Sequence, residues 1–122
     1  MTRRSFVTLL LFALAALPVL ASDIDGKWTA TIKTPDGVRH YIYEFHAQGS
    51  ELSGTFNCAE QKSGDLQQGK IDGSTISFLE PQTDTHGRID ITYIGTVDGD
   101  KIHFTRKVGT FGTDQFVADR VK

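Results

Sequence analysis

Two stretches of the chain alternate apolar and polar side chains in the same order: GKIDGSTISF, from Gly69 to Phe78, and GTVDGDKIHF, from Gly95 to Phe104. Each reads as two half-buried strands joined at an Asp-Gly turn, because glycine accepts the positive φ that a tight hairpin demands. A degenerate third copy, AQGSELSG from Ala47 to Gly54, places Gly49 24 residues before Gly73. Further turn signals fall at Pro35-Asp36-Gly37, Gln48-Gly49, Ala59 to Gly64, Pro81 to Gly87 and Gly109 to Gly112. Seven turns at intervals of about a dozen residues predict eight strands. They are read at 26–34, 38–47, 51–58, 65–71, 75–80, 87–97, 101–108 and 113–121.

Side chains alternate faces along a strand, so each strand can be sorted by parity. One face collects Trp28, Tyr41, Tyr43, Phe45, Phe56, Cys58, Phe78, Ile91, Tyr93, Phe104 and Phe116, and the other is mostly Thr, Lys, Asp, Glu, His and Ser. The tyrosines join the apolar face only if the first turn is a four-residue loop or contains a bulge. A meander of short hairpins exposes two edges unless it closes. The expected fold is therefore all-β, an eight-stranded antiparallel up-and-down barrel, with a two-sheet sandwich as the alternative.

Gly26-Lys27-Trp28 on the first strand resembles the Gly-x-Trp signature of the calycins, the lipocalin, fatty-acid-binding and avidin barrels. In that group an Arg or Lys from the end of the barrel commonly packs across the tryptophan. Arg120, in FVADRV, has the parity to do so here. A guanidinium over an indole face contributes about 1 kcal/mol. The chain is shorter than a lipocalin, lacks its C-terminal helix and disulfide, and lacks an evident avidin-type biotin set. It is also similar to small exported bacterial β-barrel domains of unknown function.

The first residues, MTRRSFVTLLLFALAALPVLAS, are expected to be a cleavable signal peptide over 1–21, followed by one barrel domain over 22–122. Their apolar run is short for a membrane span, which needs roughly 20 residues. Arg3-Arg4 is similar to the twin-arginine export pattern, but the greasy core favours the general route. A periplasmic or secreted bacterial location follows, with no membrane span after signal removal. Removing Arg3 and Arg4 from 13 basic residues leaves 11 against 15 acidic, a net charge of −4. That mild acidity argues against nucleic acid as a partner, since a phosphate binder needs a basic stripe. Cys58 is the only cysteine, so stability rests on one packed core. It is read as a buried thiol, with an intermolecular disulfide as the alternative.

Candidate chemistry is thin. His40, His46 and His103 fall on the outward face and His86 in a loop, without the short converging spacing of a metal site, so no metal or other cofactor is expected. No nucleophile elbow is present. Among acids only Glu80 has inward parity, and with Arg106 it is the one plausible pair for a rim-site hydrolase or isomerase. The inward face also carries Gly54, Gly69, Gly95, Ala30 and Ala118, where bulk would fill the barrel, beside Arg39, Gln67 and Arg106. Small residues, aromatics and a few polar groups describe a ligand site. The predicted walls are Tyr41, Tyr43, Phe56, Tyr93 and Phe104, with Arg106 orienting an acidic head group and Trp28 and Arg120 closing the opposite end structurally. The expected guest is a small hydrophobic or aromatic molecule. A non-catalytic module contacting protein or glycan through its outer face is the alternative. Outward Ile42, Leu79, Ile94, Val117 and Val121 would mark a homodimer face if they fell together. A ligand reading requires a connected cavity of about 300 Å³ or more.

Overall fold

A computed structural model describes residues 24–60, 62–84 and 87–122. The expected signal peptide and His86 lie outside these residues. The strands are β1 (Gly26–Thr34), β2 (Gly37–Gln48), β3 (Glu51–Cys58), β4 (Ser63–Asp65), β5 (Gln67–Asp72), β6 (Thr75–Asp84), β7 (Gly87–Asp98), β8 (Lys101–Val108) and β9 (Gly112–Arg120). All pairings are antiparallel, and β2–β3 and β1–β9 contacts close the ring. Segments β4 and β5 form a single stave broken at Leu66, so the barrel has eight.

The repeated sequence encodes a repeated turn. Gly49, Gly73 and Gly99 each adopt φ +63°, while Ser50, Ser74 and Asp100 after them have negative φ. Gln48 pairs with Glu51, Asp72 with Thr75 and Asp98 with Lys101, so each loop has two residues. Glycine alone at the first central position is the type II′ arrangement, whose twist matches the flanking strands. The carbonyl of the second loop residue is then bound by the next strand in each case. Ile71 N–H donates to Ser50 O at 2.9 Å, Val97 N–H to Ser74 O at 2.8 Å and Arg120 N–H to Asp100 O at 2.9 Å. Three copies of one motif thus knit one end of the barrel.

Three expectations about strands are corrected. The first loop is Pro35-Asp36 alone, with Thr34 paired to Gly37, and the tyrosines still face inward because two and four residues share parity. The fourth predicted strand is split, since Gln68 takes φ +54° and the register slips between Gln67 and Lys70. A bulge of this kind bends a sheet sharply. Finally, β6 continues through Pro81 to Asp84 instead of turning at the proline. Its pairing to β5 stops at Leu79, so Pro81 sits on a local edge where a missing amide hydrogen is tolerated.

Parity otherwise assigns the core. Tyr41, Tyr43 and Phe45 stack along β2 at centroid distances of 5.4 and 5.6 Å. Phe78 and Tyr93 face each other in register at 4.5 Å, as do Phe104 and Phe116 at 5.2 Å. Each such pair contributes about 0.5–1.5 kcal/mol beyond area burial. At the hairpin end Trp28 Nε1 donates to Ile24 O at 2.9 Å, and the Arg120 guanidinium lies 4.4 Å from the indole centroid. Arg120 also reaches Asp100 Oδ1 at 2.9 Å and Asp25 O at 3.1 Å. Those contacts seal that end.

Candidate functional site

The opposite end carries the β1–β2, β3–β4 and β8–β9 connections, and among the described residues a cavity leaves it unsealed. A cavity of about 640 Å³ opens there, bounded by the first and last of these connections and the upper parts of β2, β6, β7 and β8. Ile89, Ile91, Val108 and Phe111 supply its apolar wall. Lys33, Asp36, Arg39, Arg106 and Asp114 are the charged residues that border it. Phe111, on the β8–β9 connection, is 78 % exposed and stands at the rim.

Beneath this cavity lies a buried polar knot. Glu80 is 0 % exposed and accepts hydrogen bonds from Tyr41 Oη at 2.9 Å, Tyr93 Oη at 2.5 Å and Gln82 Nε2. A buried carboxyl left short of donors costs several kcal/mol, so three converging donors are what its position requires. Glu80 and Gln82 share a face because β6 keeps its alternation through Pro81. Arg106 is 6 % exposed and makes two parallel contacts with Asp114, Nε to Oδ1 at 3.3 Å and Nη2 to Oδ2 at 3.4 Å. Burial opposes its charge, but Tyr93 and Asp114 outweigh that and raise its pKa. Burial first, then Glu80, holds the Tyr41 hydroxyl well above the ordinary phenol range. Tyr43 is raised chiefly by burial too; Tyr93 acts on it in the opposite sense, yet no group meets its hydroxyl with hydrogen-bond geometry among the described residues.

Of the predicted walls, Tyr41 and Arg106 line the cavity. Tyr43, Phe56, Tyr93 and Phe104 are packed in the filled core below it. The inward glycines do not create the space. A Cβ on Gly54 would sit 1.9 Å from Glu44 O, one on Gly69 2.0 Å from Leu52 O, and one on Gly95 2.6 Å from the Phe104 ring. These residues let neighbours approach closely. Room arises instead where the aromatic rings end and the wall passes to Ile89, Ile91 and Val108.

Glu80 and Arg106 lie at the same end, but both carboxyl oxygens of Glu80 are occupied. Gln82 and Asp114 were hidden from sequence reasoning, Gln82 because Pro81 suggests a turn and Asp114 because its partner lies across a loop. Continued alternation through Glu80 and Gln82 is the signal for the former.

Cys58 is buried, its thiol 3.8 Å from Glu60 Oε1. Glu60 also lies 2.6 Å from His40 Nδ1 and accepts the His40 amide at 2.8 Å. Those two bonds, the backbone one foremost, hold its carboxyl down at about 2. Among the described residues no three His, Cys, Asp or Glu side chains converge to hold a metal ion. Ile42, Ile94 and Val117 are exposed, but their cross-strand neighbours are Thr29, Asn57, Ser77, Thr105 and His103, so polar residues separate them. Neither a family model, nor a curated protein, nor a solved structure matches the chain.

Proposed function

We propose that this barrel is an exported, calycin-like carrier that binds a small apolar or aromatic molecule at its unsealed end. The single observation that carries this reading is the cavity of about 640 Å³, within the range of small-molecule sites and lined by an apolar wall with a few polar groups. The eight-stave up-and-down ring and the guanidinium over Trp28 support the calycin likeness. Glu80, Tyr41 and Tyr93 serve to stiffen the floor of the site, since a fully satisfied buried network fixes its members in place.

The test is a neutral environment-sensitive dye, N-phenylnaphthylamine, titrated into the protein. Its emission should rise to saturation, and Ile89→Trp, which fills the cavity from a half-buried wall position, should weaken binding by at least about ten-fold, equivalent to ~1.4 kcal/mol. Unchanged circular dichroism would show that the variant folds. No rise in emission with dye or with a panel of aromatic competitors would overturn the reading.

A further inference from the structure

We infer that the guest is an organic acid, an apolar body with one anionic head, and that Arg39 rather than Arg106 receives that head. The inference rests on the cavity-binding reading above and concerns the chemistry of the ligand. Arg106 is engaged, because both carboxylate oxygens of Asp114 meet the Nε–Nη2 edge of its guanidinium. Arg39 differs. It is an inward-parity residue of β2, half-buried at the cavity wall, and it makes no hydrogen bond or ion pair among the described residues.

A half-buried guanidinium carries five donors in a planar fork suited to a carboxylate. Leaving such a group unpaired beside a concave apolar wall is costly unless something else meets it. Its direction is consistent with this role. A Cβ placed on Gly37 would lie 3.9 Å from Arg39 Nη1, so the side chain runs along the glycine toward the rim instead of down into the core. Ile32, across the ladder from Arg39, is buried and offers no counter-charge.

The charges around the mouth agree. Lys33, Arg39 and Arg106 oppose Asp36 and Asp114, and the Arg106–Asp114 pair cancels internally. Among the described lining residues two cations then stand beside one carboxylate, an excess of +1 in a chain whose overall charge is −2. Glu80 lies below with its oxygens engaged by Tyr41, Tyr93 and Gln82, so it repels an anion only from behind those donors. An acid entering head-last would place its chain against Ile89, Ile91 and Val108 and its carboxylate at the fork of Arg39.

The experiment displaces bound N-phenylnaphthylamine with decanoate and with decanol, two competitors that share an apolar chain and differ in the head. Decanoate should compete about ten-fold better than decanol, the usual scale for a charge-assisted hydrogen bond. Arg39→Gln should abolish that preference, with circular dichroism confirming that the variant folds, and Arg39→Lys should keep part of it. Equal competition by the two molecules, or a preference that survives Arg39→Gln, would overturn the inference and leave the cavity reading standing. Absence of dye binding to the native protein would overturn both. Should Arg39→Gln fail to fold, the native comparison of decanoate with decanol still decides the charge of the head group, and Arg39→Lys decides the residue.

Discussion

Three tyrosines on the inner wall carry unequal burdens. Tyr41 and Tyr93 each donate to Glu80, so removing either hydroxyl strips a donor from a fully buried carboxyl. Tyr41→Phe and Tyr93→Phe should each cost about 1–3 kcal/mol in chemical denaturation. Tyr43 is as deeply buried, but among the described residues no group meets its hydroxyl with hydrogen-bond geometry, so Tyr43→Phe should be neutral or stabilising by up to ~1 kcal/mol. Equal losses at the three positions would contradict the arrangement. On the surface, Glu60 titrates about 2 against an ordinary 4.5. Its folded-state value is the lower one, so its contribution to stability is complete above about 4.5 and disappears as pH falls toward 2. The His40 backbone amide is the first cause of that depression and its imidazole the second. His40→Ala should therefore raise the Glu60 value only part of the way, as followed by carboxyl-carbon NMR.

At the level of strands and turns, glycine does two different jobs, and mutation separates them. Gly73 has open space where a side chain would go, so Gly73→Ala pays only for the left-handed backbone, about 1–2 kcal/mol. Gly54 has φ +148° and Glu44 O at 1.9 Å from its missing Cβ. Gly54→Ala must push two strands apart and should lose at least about 3 kcal/mol or fail to fold. A thermal melt of the pair distinguishes a turn cost from a clash. The same contrast explains what could be read in advance. Asp-Gly hairpins are legible because one residue type satisfies the backbone of that turn. The break at Leu66 is not, since an apolar residue looks alike in a strand and beside a bulge, and the bond from the Leu66 amide to Gly54 O joins residues far apart in sequence. Pro81 misleads for a related reason: whether proline ends a strand depends on whether a neighbour needs its amide, and the point where β5 runs out is a tertiary fact.

Taken as a whole, the barrel is filled with aromatic rings over most of its length and hollow at one end. Parity could tell which residues face inward but not how far up the bore the rings reach. For that reason Tyr43, Phe56, Tyr93 and Phe104 belong to the core, while Ile89, Val108 and Phe111 bound the space. Pairing of Arg106 with Asp114 needs only the β8–β9 hairpin, because the two lie opposite each other once those strands are in register. Hydrogen exchange offers a test at this scale. The amides of Ile71, Val97 and Arg120, each bound to the carbonyl of the preceding hairpin turn, should exchange among the slowest in the molecule. Those of Gly109 and Phe111, bonded to Asp90 O at 3.2 Å and Val108 O at 2.8 Å on the less buried β8–β9 connection, should exchange faster. Similar rates at the two sets would contradict the asymmetry.

The three knitted turns have a consequence for traffic. On the proposed reading, breathing should be polarised along the bore: one rim would loosen to admit or release a guest while the other keeps its amide protons. Arrival and departure of a guest would then run on a clock separate from that of global unfolding, so a molecule could change occupants many times without once losing its shape.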